Sequence, residues 1–126
     1  MITIKVKVRG VHEFDEFFGG MALEHIADGG KVFNEKHILE TISDSLGGAF
    51  DIVDFREEIL EFPNKVVGVI KFSLLEYEQD NVGEAIDECL EAGETAINHA
   101  LVIEDVTAGL DGMFDIEVIS ETIRRD

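Results

Sequence analysis

Between Ser73 and Ile123 the chain carries 14 Asp or Glu residues and not one Lys or Arg. Two basic clusters, Lys5, Lys7 and Arg9 and then Arg124 and Arg125, sit near the two ends, and the other five bases are scattered between Lys31 and Lys71. Net charge is -18 on 126 residues. Self-repulsion of that size opposes any compact state. A fold compatible with it must spread the acids over the surface and give the few bases a defined use. With 45% hydrophobic residues a core is still within reach, so the charge does not imply disorder.

The length corresponds to one domain, residues 1–126. No apolar run approaches the ~18 residues of a membrane span. The start, Met1-Ile2-Thr3-Ile4-Lys5, alternates apolar and polar residues rather than forming a signal-peptide apolar region. A single cysteine, Cys89, excludes an internal disulfide and fits a reducing compartment, so a cytoplasmic location is expected. A pI of about 4.3 argues against direct binding to nucleic acid or anionic membranes, both polyanions. Cations and basic protein surfaces are the expected partners.

Ile2, Ile4, Val6 and Val8 alternate with Thr3, Lys5, Lys7 and Arg9, the period of a half-buried strand that Gly10 would end. Phe14, Phe17, Phe18, Met21 and Ile26 recur at near-helical spacing, but Gly19-Gly20 and Gly29-Gly30 interrupt them. Residues 11–33 therefore read as short helical pieces in a packed loop. Residues 35–46 read as a helix capped by Asn34 and ended by Gly47-Gly48. Residues 49–62 and 66–78 flank Pro63 as two strands. The second is apolar on both faces at its start, as suits a central strand.

Residues 81–101 read as the best helix, with Gly93 in the middle of its apolar face and Asp80, Glu84, Asp87, Glu88, Glu91 and Glu94 opposite. A Gly109–Gly112 turn and a last strand from residue 113 follow. No internal repeat or low-complexity linker is evident. The pattern predicts an α+β fold, an antiparallel sheet with two main helices on one face. Its element order is compatible with a ferredoxin-like βαββαβ arrangement. In that arrangement Lys5, Lys7 and Arg9 would face Asp115, Glu117 and Glu121 across neighbouring strands. The helix-free face would expose Val67, Val69 and Leu75 and favour a homo-oligomer.

Motifs for chemistry are sparse. His12, His25, His37 and His99 include no pair at metal-ligand spacing, so neither a metal site nor a cofactor is expected. The 104–112 loop lacks the ligand spacing of a calcium loop. Cys89 falls on an apolar helix face and reads as a buried structural thiol. There is no nucleophile elbow, P-loop or dinucleotide fingerprint, and no catalytic residue is assigned. The Phe14/Phe17/Phe18/Met21 cluster reads as packing over the end of the core, or as an anchor for a partner.

The carboxylates of the 80–94 stripe stand about one turn, roughly 5–6 Å, apart. That spacing is on the scale of successive phosphates. Glu84, Asp87, Glu88, Glu91 and Glu94 are accordingly the expected partner-binding residues of a non-enzymatic inhibitor or decoy. It would mimic nucleic-acid charge and occupy the basic groove of a nucleic-acid-binding protein. In small size and acidity the chain resembles phage-encoded acidic inhibitors of host defence, a likeness of composition that carries no residues across. A high-salt proteome fits less well, since Glu outnumbers Asp 17 to 11 and there are 14 Ile. Two other readings stand beside it. One is a homo-oligomeric assembly subunit. The other is a small-ligand-binding protein or enzyme with an interface pocket using His12, His25 or His37.

Overall fold

The computed structural model describes residues 1–125. Strands β1 (Ile2–Phe14), β2 (Asp51–Phe62), β3 (Lys65–Glu78) and β4 (Asp115–Arg125) form one antiparallel sheet in the order β2-β3-β1-β4. Helices α1 (Glu16–Ala27) and α2 (Glu35–Ser45) link β1 to β2. A 3-10 turn (Asp80–Val82) and helices α3 (Gly83–Glu91) and α4 (His99–Gly109) link β3 to β4. The class is α+β with an antiparallel sheet. Instead of two main helices there are four, two in each connection.

The apolar alternation of β1 does what its period requires. Ile2, Ile4, Val6 and Val8 are all buried and meet Ile70, Phe72 and Leu74 of β3 on the same face. Over that face lie Ile38 and Ile42 of α2, Ile86 of α3, and Val102 and Val106 of α4. Each buried aliphatic side chain of this kind contributes about 1.5–3 kcal/mol. Asn34 and Asn98 cap α2 and α4, accepting from the backbone N–H of His37 and Leu101 at 3.1 Å each.

Gly10 does not end β1, which runs on to Phe14. Residues 16–27 form one continuous helix despite Gly19-Gly20, capped by Asp15, whose Oδ1 accepts from Phe18 N–H at 2.8 Å. Gly19 is spent on proximity: a Cβ there would lie 3.1 Å from Val66, so α1 rests directly on β3. The helix read over 81–101 is two helices. Gly93 adopts φ +80 and ends the first, and Glu94 N–H closes the turn on Cys89 O at 2.8 Å. No atom lies within 4 Å of a Cβ at Gly93, so it serves the turn and not close packing.

The expected charge ladder between β1 and β4 holds only for Arg9 and Glu117, 2.6 Å apart. A bulge shifts the register between Lys7 and Val8, so Lys7 faces Ser120 and Lys5 faces Thr122. Lys5 instead approaches Asp54 of β2 at 3.6 Å. The same bulge turns Glu121 to the helix side. The sheet face opposite the helices does not expose the valines expected there. Val67 and Val69 are only 5% exposed within one chain, flanked in register by Glu13, Leu60, Val11 and Glu58. Leu75 is half-buried.

The structure contains an internal duplication that the sequence reading missed. Residues correspond at a constant offset of 64, as from Asn34 to Asn98. The offset carries β1-α1-α2-β2 onto β3-α3-α4-β4. Gly29 and Gly93 share φ +80, and Gly48 and Gly112 share φ +71. Phe50-Asp51-Ile52 corresponds to Phe114-Asp115-Ile116. The register breaks at Val53/Arg56 and opposite Lys7/Val8 fall at the same place in the two halves. Val8 and Phe72, which correspond under the offset, also pair directly, so a pseudo-two-fold axis passes through them.

One side chain does the same task in each half. Glu57 accepts from the N–H of Val32 and Phe33 at 2.8 and 2.6 Å. Glu121 accepts from those of Ala96 and Ile97 at 3.0 and 3.1 Å, and lies 2.9 Å from His99 Nε2. Each edge-strand carboxylate thus fixes the segment that starts the second helix of its half. The Glu121 side chain is only 8% exposed. Glu121→Ala would leave buried N–H groups without an acceptor, and a loss of about 2–4 kcal/mol is expected in urea unfolding. A loss below about 0.5 kcal/mol, the range of an ordinary surface change, would contradict this role.

Candidate functional site

A cavity of about 600 Å³ lies where the end of β1 meets α1. The two elements supply its walls by their own periods. His12 and Phe14 share one face of β1. Phe18, Met21, Ala22 and His25 follow i, i+3, i+4, i+7 spacing on α1 and so share one helix face. Val32 closes one side, held by the Glu57 clamp, and Met113 closes another from the turn before β4. Ala22 is buried and forms floor. Phe18 and Met21, 55% and 50% exposed, form rim. The Phe14/Phe17/Phe18/Met21 cluster therefore does not close the core. Only Phe14 is partly buried, stacked on Phe33 with ring centroids 5.9 Å apart. Gly68 makes room for those rings, since a Cβ there would lie 2.5 Å from Phe33.

His12 is fixed from two directions. Its ring stands edge-on to Phe14 at 4.8 Å and tilts against Phe114 at 5.7 Å. Its Nδ1 lies 2.7 Å from the carbonyl of Met113. A carbonyl only accepts, so Nδ1 carries the hydrogen and Nε2 of the neutral ring is left as an acceptor. His25 reaches the same cavity from α1, and Glu13 and Asp15 add negative charge to the lining. His37 does not line this cavity but an adjoining one with Phe33 and Phe114, which shares Val32 and Met113 as walls.

The duplication supplies a second, smaller version. A cavity of about 250 Å³ is lined by Glu76, Glu78, Val82, Ala85, Ile86, Cys89 and Ala96. Under the 64-residue offset these are the counterparts of His12, Phe14, Phe18, Met21, Ala22, His25 and Val32. Ile86 in place of Ala22 fills the floor. Carboxylates replace His12 and Phe14. Burial raises Glu76 above the ordinary carboxylate value of 4.5, and a hydrogen bond with Glu78 and the charge of Glu78 add to the rise. Cys89 lines this cavity and is half-buried, so it is not the fully enclosed thiol the sequence suggested.

Among the sequence-predicted partner-binding residues, Glu84, Asp87, Glu88 and Glu91 lie exposed on α3, and Glu94 lies beyond the Gly93 turn. At nine residues α3 is roughly 13 Å long. Asp87 is engaged by the Arg125 guanidinium, and neighbouring Asp80 by the Met1 amino group at 2.6 Å. The structure thus keeps four of the five on one short helix, with Glu94 apart and Asp87 occupied by Arg125. No three His, Cys, Asp or Glu side chains among the described residues are arranged to hold a metal ion. Ala22, Val32, Met113 and the Glu76–Glu78 pair escaped the sequence reading. The repeated Phe-Asp-Ile and the matched Asn34 and Asn98 were the signal that would have led to them.

The raised Glu76 value has a definite sign. The folded state favours the protonated form, so its stabilising contribution is complete below pH 4.5 and is lost as pH rises through the folded value. Glu76→Gln should therefore melt at a higher temperature than the parent at neutral pH, with the gap closing as pH falls below about 4.5. Equal melting temperatures at neutral pH would show that Glu76 is not strained there. Comparison of the chain with protein-family models, curated proteins and solved structures gives no match.

Proposed function

We propose that the protein binds a small aromatic compound, neutral or positively charged, in the cavity between β1 and α1. The observation that carries this reading is the cavity itself: about 600 Å³, walled by Phe14, Phe18, Met21, Ala22 and Met113, with two histidines at its polar edge. Ligand sites commonly combine a volume of roughly 300–1,000 Å³, apolar and aromatic walls and a few placed polar groups. The ring edge of a flat ligand would meet the thioethers of Met21 and Met113, and its face the Phe18 ring. Nε2 of His12 would accept a hydrogen bond from a ring N–H or hydroxyl. Glu13, Asp15 and the net charge of -18 favour a neutral or cationic ligand over an anion. The lone, half-buried Cys89 fits a reducing compartment such as the cytoplasm. No helix among the described residues is long and apolar enough to cross a membrane.

Charge mimicry was expected from an acidic stripe over 80–94; α3 carries Glu84, Asp87, Glu88 and Glu91, and the turn at Gly93 sets only Glu94 apart, so the acidic helix is shorter than expected. The cavity is the better-supported site. It is formed within one chain and needs no interface.

Phe18 and Met21 are half-exposed rim residues, so Phe18→Asp and Met21→Asp should leave the fold intact. Each should weaken binding of an aromatic fragment by about tenfold or more in calorimetric titration. Glu84→Gln on α3 should leave it unchanged. Fragment affinity indifferent to both rim substitutions would refute the assignment.

A further inference from the structure

The opposite face of the sheet concentrates the scarce positive charge. Lys5, Lys7 and Arg9 of β1, Lys71 of β3 and Arg56 of β2 all project there, five of the ten Lys and Arg residues in the chain. Arg9 pairs in register with Lys71, and Lys71 with Arg56, so three cations stand in one row across three strands. Like charges directly opposite each other destabilise a sheet. In a chain with 28 acids and 10 bases this placement demands a use.

A depression of about 320 Å³ opens beside the row. Its lining includes Lys5, Lys7, Arg56 and Lys71, with Asp54 the one acid and Ser73 beneath. The two bulges of the sheet flank it. Asp54, in one of them, holds the left-handed conformation at φ 57, one that Asp tolerates better than most residues. Lys5 is matched by Asp54 at 3.6 Å, and Lys71 has only Glu58 at 4.0 Å. Lys7 and Arg56 have no ion-pair partner among the described residues. Lys7 and Lys71 correspond under the 64-residue offset and straddle the pseudo-two-fold axis. No other base is kept in both halves.

We infer that this depression is a binding site for the pyrophosphate group of a small phosphorylated compound. Four cations against Asp54 and against Glu58, which lies 4.0 Å from Lys71, leave a local surplus of two positive charges, which a diphosphate matches better than a single carboxylate does. Arg56 offers the forked donor geometry suited to phosphate oxygens, and the lysines add point charges. The strongly negative remainder of the molecule disfavours nucleic acid or a second copy of this chain, both large and acidic. A small anion is exposed mainly to the local surplus, because more distant charges are screened beyond about 8 Å at physiological salt.

Calorimetric titration with sodium pyrophosphate at constant ionic strength tests this. Saturable one-site binding is expected, weakened by about tenfold or more in the Lys7→Gln/Arg56→Gln variant and unchanged in Glu84→Gln. Without ligand, Arg56→Gln should melt at a higher temperature than the parent, because it relieves repulsion against Lys71. Absence of saturable binding at millimolar pyrophosphate, or equal binding by the double variant, would overturn the site. Citrate binding as tightly as pyrophosphate would overturn the phosphate assignment. A lower melting temperature for Arg56→Gln would remove the argument from repulsion.

Discussion

The antiparallel pairing of β1 with β3 is the contact on which the rest of the molecule depends. It runs in unbroken register from Ile2↔Glu78 to Phe14↔Val66 and contains the pseudo-two-fold axis at Val8↔Phe72. One face of the pair carries the buried row of Ile2, Ile4, Val6 and Val8 against Ile70, Phe72 and Leu74, on which the helices pack. Because the two central strands are equivalent, whatever one half builds at the end of its strand the other builds at the opposite end. This explains why the connections match, why Glu57 and Glu121 act alike from the two edges, and why two cavities lie at corresponding places. The cavities differ in their side chains and in the helix that walls them, continuous in α1 and opened by a 3-10 turn before α3. Ala22 leaves one open where Ile86 fills the other, and His12 and Phe14 give way to Glu76 and Glu78.

The charge is arranged by surface. Acids occupy the outward sides of the helices and parts of the sheet, whereas half of the bases collect on the sheet face opposite the helices, where Asp54, Glu58 and Glu117 partner some of them. Some carboxylates do structural work inside. Glu121 and Glu57 replace backbone partners that the chain before α4 and α2 would otherwise lack, and ionised carboxylates accept more strongly than neutral groups. Such uses hold part of the acidity in place without concentrating it, and they reduce the repulsion that a charge of -18 imposes on a compact state.

Much of this was legible in the residues. The alternation of β1, the Asn34 cap, the Pro63 hairpin and the all-apolar start of β3 each follow from period or from turn chemistry, and each is present. Elsewhere local pattern was overridden. Gly93 looked like a tolerated residue in a long helix because the apolar spacing continues past it, yet its left-handed φ separates two helices. Gly19-Gly20 looked like a breaker, and packing of α1 on Val66 overrode its poor propensity. A bulge, which leaves no mark in a hydrophobic pattern, moved Glu121 from one sheet face to the other. The cavity was half visible: His12, His25 and the Phe/Met cluster were noticed separately, but only the fold brings them to one place. The duplication was written in matched caps and turns rather than in apolar spacing, and so passed unseen.

Methionine methyl signals offer the most direct test of ligand binding. The chain has three methionines. Met21 and Met113 line the cavity, and Met1 stands apart at the start of β1. With methyl-labelled protein, titration of aromatic fragments should shift the Met21 and Met113 resonances together and saturably, and leave Met1 in place. A fragment set that moves neither cavity methyl, or moves all three alike, would contradict a ligand site between β1 and α1.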